Sequence, residues 1–409
     1  MSSCLLLIAA VLLSQDAPYD ATPGADPPYY RVRLDADASA GGLKYAVQYT
    51  VWIPPGRDRL RGVVVHQHGC GPGSCQSGLT GAYDLHWQSL AAAHDCALLA
   101  AVYEQTDKTD CGAWCDPRNG SDAAFQKGLA QLGELSRHPE LARVPWALWG
   151  HSGGAYWSGG MTLLHPNRVA AAWLRSGVPT IVRNDAGNVD PFEITAASRQ
   201  VPIACNLGTR EGVTDQSNKF ATVWPRVEAF AAAMQAAGSG PIPLAVAVDP
   251  NTSHECGDQR YLAIPWLDAC LSKRLADEGP LASVDAAAWH PVPAGPENLK
   301  TAFAPSRVPT VGVASAWNDY VSGRPITDAT PPPPARNVRL DQGRLTLEVV
   351  ADRQSGLQSV LVESKGQTVA TIPRTPTNRF GRPLLQGLQY SDTNQSAAAA
   401  GDRSARLTE

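Results

Sequence analysis

The feature that most restricts how this chain can fold is the run Trp149-Gly150-His151-Ser152-Gly153-Gly154. It lies between an apolar segment, Val144 to Trp149, and a helix-capable segment, Ala155 to Leu164. A buried strand that must become a helix within so few residues has few backbone solutions. Glycines on both sides of the serine let neighbouring backbone approach where a Cβ would clash. The serine itself is then held in a strained conformation. Its hydroxyl stands exposed at the carboxyl end of the strand, near the positive end of the following helix.

The rhythm around this turn sets the fold class. From Tyr30 to Pro54, apolar residues alternate with polar ones (Tyr45, Val47, Tyr49, Val51, Ile53), as in edge or antiparallel strands. Val63-Val64-Val65 is instead continuous, which suits a strand buried on both faces. Strand-like stretches at 96–102, 146–148, 169–174, 201–207 and 242–248 then alternate with helix-like stretches at 83–93, 125–135, 155–164, 220–237 and 261–275. The pattern predicts a doubly wound, mostly parallel α/β sheet over residues 28–276. Residues 178–199 interrupt it with polar sequence and read as a small lid over the carboxyl edge, where such sheets bind ligands.

At 409 residues the chain exceeds one average domain. Residues 4–13 (CLLLIAAVLL) resemble the apolar core of a secretory signal spanning 1–17, so the chain is expected to be secreted or periplasmic. That run is too short to act as a transmembrane anchor. Residues 277–335 are rich in Pro and Ala, end in Pro331-Pro332-Pro333-Pro334, and read as a stiff linker. Alternating residues with turn signals over 336–395 predict a small antiparallel β domain, and 396–409 a disordered tail. A net charge of −4 gives no electrostatic case for nucleic acid or an anionic membrane. Besides Cys4 there are eight cysteines, an even count that suggests disulfides in an exported chain. Cys70/Cys75, Cys111/Cys115 and Cys256/Cys270 are near enough in sequence to be candidate pairs. His66, His68, Cys70 and Cys75 look superficially like a zinc set, but a paired C-x-x-C framework is missing and no metal is expected. Asn119-Gly120-Ser121 and Asn251-Thr252-Ser253 match glycosylation acceptors.

Val63-Val64-Val65-His66-Gln67-His68-Gly69-Cys70-Gly71 reads as a buried strand ending in a glycine-flanked turn. Such a strand, upstream of a Gly-x-Ser-x-Gly turn, resembles the α/β-hydrolases over roughly residues 45–275. The resemblance implies an oxyanion hole made by the N–H groups of Cys70 and Gly153. It implies Ser152 as nucleophile and, after the last strand, His254 as base. The strand 201–207 is followed by Gly208, two residues and Glu211, the position where the family keeps its acid, usually Asp. Asp215 is the alternative, and Asp185 or Asp190 lie further off. The order serine, acid, histidine is the one this fold uses.

Tyr103 and Glu104 end a strand at the carboxyl edge and are candidates for lining the pocket, as is Tyr156 just after the turn. Trp114, Trp157 and Trp266 read mostly as core. The segment from Thr330 onward resembles a fibronectin type III-like β-sandwich, a possible carbohydrate or protein contact. The combination implies a serine hydrolase of carboxylic esters, small or polymer-linked, that needs no cofactor. A prolyl-oligopeptidase-like serine peptidase and a catalytically idle binding protein on the same fold are the alternatives.

Overall fold

The computed structural model describes residues 24–39, 41–71, 77–106, 110–182, 189–277, 279–296, 299–326, 334, 336–341, 344–348, 353, 356, 359–364, 367–372 and 403–408. Eight strands form one sheet: β1 (Tyr29–Leu34), β2 (Val47–Trp52), β3 (Gly62–Gln67), β4 (Cys96–Tyr103), β5 (Trp146–His151), β6 (Val169–Arg175), β7 (Ile203–Gly208) and β8 (Leu244–Asp249). Their order is β1-β2-β4-β3-β5-β6-β7-β8. β1 pairs antiparallel with β2, and β2 with β4; every later pairing is parallel. This is the arrangement of the α/β-hydrolase fold.

Side-chain alternation explains why the central strands read as continuous apolar runs. Val63 and Val65 of β3 enter the core on one face, and Val64 enters the core on the other. Three helices cover the first face: α2 (Asp122–Ser136), α3 (Gly153–Leu164) and α4 (Val223–Ala236), through Phe125, Trp157 and Phe230 among others. The second face is covered by α1 (Leu85–Ala93), α5 (Arg260–Arg274) and α6 (Val311–Val321). There the sheet presents Ala147, Ala171, Ala204, Ala245 and Ala247, and the small side chains leave room for the indoles of Trp87, Trp266 and Trp317.

The segment read as a linker is part of this core. Between 277 and 326 it forms β9 (His290–Val292), β10 (Ser306–Val308) and α6. Trp289, Val292, Val308, Val313, Trp317 and Tyr320 are all buried on the second face. The Val246 N–H donates to Ser306 Oγ (2.8 Å), the Trp317 indole N–H to the Pro293 carbonyl (2.9 Å), and the Tyr320 hydroxyl to Asp249 (2.9 Å). The prolines end short elements here; apolar burial decides the fate of the segment. Trp317→Ala is expected to destabilise the protein by about 3–5 kcal/mol, read as a lowered denaturant midpoint. An unchanged midpoint would mean that α6 is dispensable to the core.

Beyond residue 334, β11 (Arg336–Asp341) pairs antiparallel with β12 (Arg344–Glu348). β13 (Ser359–Ser364) is the centre of a three-stranded antiparallel sheet with β14 (Gln367–Ile372) and β15 (Arg403–Thr408). β15 therefore falls in the stretch read as a disordered tail. Arg353 pairs with Asp268 of α5 (2.7 Å). The signal-like segment 1–17, Cys75, Asp185, Pro331 to Pro333 and residues 396–402 lie outside the described residues. Among the described residues no helix is long and apolar enough to cross a membrane.

Candidate active site

β5 ends at His151, and Ser152 turns the chain into α3 with φ +56° and ψ −119°. A side-chain-bearing residue there costs on the order of 1–3 kcal/mol and persists only where its surroundings dictate it. They do so here: the Ser152 N–H donates to the Arg175 carbonyl (2.7 Å), and its own carbonyl accepts from Ala155 and Tyr156. Gly154 has no alternative residue, since a Cβ would lie 2.3 Å from the Gln67 carbonyl and 2.5 Å from that of His68. The elbow is thus pressed against the end of β3.

His254 follows β8, and Glu211 follows β7. His254 Nε2 lies 2.8 Å from Ser152 Oγ, and His254 Nδ1 lies 2.6 Å from Glu211 Oε1. Glu211 is fully buried. Its second oxygen accepts from the Ser176 hydroxyl (2.8 Å) and the Gly208 N–H (2.7 Å). Gly208 also lets the His254 loop close in, because a Cβ there would lie 2.4 Å from the Thr252 carbonyl. The ring of Phe220 stacks on the imidazole at 3.7 Å and 7°.

Burial holds the proton affinity of His254 below its ordinary value, and His151 and Arg175 push the same way, while the Glu211 carboxylate pulls upward. The lowered proton affinity favours the neutral ring at neutral pH, the form a general base would need, and Glu211 favours the tautomer that presents a lone pair to Ser152.

The loop after β3 closes over the serine from the other side. A Cβ on Gly69 would lie 3.0 Å from the Ser152 Cβ. The Cys70 nitrogen is 3.2 Å from the position a Cβ on Gly153 would take. The backbone amides of Cys70 and Gly153 are thus neighbours beside Ser152. Gln105 orders this loop, its Oε1 accepting from the Gly71 N–H (3.0 Å) and the Trp114 indole (2.8 Å).

Cys70 is disulfide-bonded to Cys111, across 41 residues, and not to Cys75. Cys111, Cys115, Cys256 and Cys270 likewise do not form the pairs suggested by their spacing; the loop after β3 and the start of a helical turn at Gly112–Cys115 meet only in three dimensions. Closing a loop of this length stabilises by about 4 kcal/mol in the chain-entropy account. The bond also commits Cys70, so the His66, His68, Cys70, Cys75 grouping is not a ligand set. His66 instead stacks on Trp149 at 4.1 Å, and His68 meets the same indole edge-on.

Of the candidate pocket residues, Tyr156 is half-buried on α3 with its hydroxyl donating to Thr180 (3.2 Å). Tyr103 is buried in the core and stacked on Trp114 at 4.1 Å. Glu104 is taken up by Arg33 (2.6 and 2.8 Å) and Gln48 (3.2 Å) at the antiparallel side of the sheet. Asp215 accepts from the backbone and hydroxyl of Ser217, closing its own turn. Asp190 is held through its carbonyl by Arg118. An open depression of about 670 Å³ beside His254 is lined by Asn218, Lys219, Phe220, Ser253, His254 and Glu255. Phe220, Ser176 and Gln105 carry no sequence signal of this role, because each acts through a contact that only the fold creates.

No protein-family model matches the chain, and no curated protein matches it significantly. Solved structures similar to it include a poly(aspartic acid) hydrolase from a Sphingomonas species, at 15% identity over 56% of this chain and 93% of that one, with a TM-score of 0.38. A cold-adapted esterase from an Arctic intertidal metagenomic library is 15% identical over 60% and 93% of the two chains, with a TM-score of 0.37. An S-formylglutathione hydrolase from Agrobacterium tumefaciens is 12% identical over 60% and 93%, also with a TM-score of 0.37. Likenesses this faint assign neither substrate nor residues to this chain.

Proposed function

We propose that this chain is an exported serine hydrolase that cleaves carboxylic esters through Ser152, His254 and Glu211. The observation that carries the reading is the relay from Ser152 Oγ to His254 Nε2 (2.8 Å) and from His254 Nδ1 to Glu211 Oε1 (2.6 Å), on a serine held at φ +56°. Ser152 Oγ attacks the ester carbonyl as His254 takes its proton. Glu211 stabilises the resulting imidazolium. The N–H groups of Cys70 and Gly153 receive the developing oxyanion; as backbone donors fixed by the elbow and the disulfide, they need no reorganisation. The tetrahedral intermediate then expels the alcohol, protonated by His254. Water, deprotonated by the same ring, releases the acid from Ser152.

The depression beside His254 is suited to the alcohol portion, which leaves from the side of the group that protonates it. The Cys70–Cys111 disulfide supports export to an oxidising compartment. Among the described residues no propeller covers the site, which favours esters over the peptides of prolyl-oligopeptidase-like enzymes.

The purified protein is expected to react with a fluorophosphonate at Ser152 and to hydrolyse a p-nitrophenyl ester series, with a chain-length optimum that sizes the acyl site. Labelling with cleavage of peptides but not esters would move the chain to the peptidases. Absence of labelling would leave an idle, binding scaffold.

A further inference from the structure

The His254 loop is gripped from below by a charge that the relay does not use. Arg175, the last residue of β6, is fully buried. Its guanidinium donates to Asn206 Oδ1 (2.8 Å), Thr252 Oγ1 (2.9 Å), the Ser253 carbonyl (3.1 Å) and the Glu255 carbonyl (2.5 Å). The last two groups flank His254 in sequence. The intervening His254 carbonyl accepts from His151 Nε2 (2.6 Å). Three successive carbonyls of the base's loop are therefore held, two by Arg175 and one by the residue preceding the nucleophile. All four of these Arg175 acceptors are neutral. A buried cation whose direct hydrogen-bond acceptors are all neutral, with the Glu255 carboxylate acting on it only through space, is costly to keep, which argues for a role other than stability.

Resting on the serine hydrolase reading, we infer that Arg175 is a positioning residue for His254, fixing the loop that carries the imidazole. The planar fork suits this task, because it reaches several carbonyls at once in fixed geometry. The charged and titratable groups that face His254 are Glu211 from the loop after β7, His151 from β5 and Arg175 from β6, with Lys219 and the Arg210–Glu255 pair on the rim. Burial is the main influence that lowers the proton affinity of the ring and would remain, but removing Arg175 withdraws a smaller one that acts in the same direction against Glu211.

The test is the rate of Ser152 labelling by a fluorophosphonate as a function of pH, in the full chain and in Arg175→Met and Arg175→Lys. Labelling needs the base and the oxyanion donors but no knowledge of the substrate. Arg175→Met is expected to label about 100-fold more slowly, the scale of a misplaced catalytic group. Its acid limb should move to higher pH. Arg175→Lys, which keeps the charge but not the fork, should be slower than wild type with its acid limb unmoved. An Arg175→Met protein that labels at the wild-type rate, or slowly with an unmoved limb, overturns the inference. Should Arg175→Met fail to fold, the Lys variant decides alone: reduced rate supports positioning and wild-type rate refutes it. A wild-type protein that does not label at all refutes the hydrolase reading instead.

Discussion

Ser152→Ala is expected to lower ester turnover by about 10⁴-fold or more while the protein stays folded. The substitution removes one oxygen, the atom 2.8 Å from His254 Nε2, and leaves the imidazole without a proton to accept from the attacking group. Ala meets the same φ of +56° that Ser already tolerates, so the elbow keeps its shape and its backbone donors. What survives is catalysis by the oxyanion donors and binding alone, with water as the nucleophile. The measurement is p-nitrophenyl ester hydrolysis at matched protein concentration, with unfolding followed in parallel. A variant as active as wild type would show that turnover does not pass through Ser152. The same variant serves as the blank for any slower activity found later.

The sequence points to Ser152, to His254 and to Glu211, with Asp215 as the alternative acid, through the resemblance to the α/β-hydrolases, which keep such residues just after buried strands, and the strands carry their own signal. Val63 to Val65 and Leu244 to Val248 are continuous because both faces of a parallel sheet are covered. The stretch from 277 to 326 is misleading for the opposite reason. Its short elements hold too few residues for a period to emerge between prolines, and its burial depends on alanines of β5 to β8 that make room for Trp317. Composition reports proline but not the partner surface. The disulfide is hidden likewise: Cys70 and Cys111 are distant in sequence, and only the return of β4 beside β3 brings their loops together. Tyr103 misleads in a third way. The end of a strand at the carboxyl edge is where a ligand-binding residue is expected, yet its ring turns into the core beneath Trp114.

Residues that hold other residues are the least visible. Ser176 and Arg175 are polar positions at the end of β6, indistinguishable in sequence from an ordinary strand exit. In the fold, Ser176 takes φ +59° and aims its hydroxyl at Glu211, while Arg175 aims away to the His254 loop. The two neighbours thus contact the proposed acid and the loop of the proposed base separately. β6 itself contributes no member of the proposed relay, yet its exit is where both of them are braced.

Glu211→Gln is expected to lower turnover by about 10³–10⁴-fold, whereas Asp215→Asn should leave it nearly unchanged. The buried carboxylate accepts on both oxygens, from His254 Nδ1 on one side and from Ser176 and Gly208 on the other. An amide cannot satisfy both sides. If its nitrogen faces His254, the ring must present a lone pair at Nδ1 and a proton at Nε2, the wrong tautomer for taking a proton from Ser152. If its nitrogen faces the other way, the Ser176 hydroxyl can turn to accept from it, but the Gly208 N–H is opposed by another donor and left unpaired in the interior, at about 1–3 kcal/mol. The exposed Asp215 carboxylate accepts from the backbone and hydroxyl of Ser217 and, among the described residues, makes no hydrogen bond with His254, so its loss should act on the turn more than on the relay. The pH profile gives a second, independent readout. Neutral His254 is the active form, so turnover rises as pH climbs through its pKa, which burial places below the ordinary value. Glu211 raises that pKa in the wild type; with its charge gone, the acid limb of the residual activity should lie at still lower pH. That direction is opposite to the one expected for Arg175→Met, so the two variants separate the anion that raises the proton affinity of the ring from a cation that adds to burial in lowering it. A Glu211→Gln protein with full activity, or an inactive Asp215→Asn protein, would transfer the role of acid to Asp215.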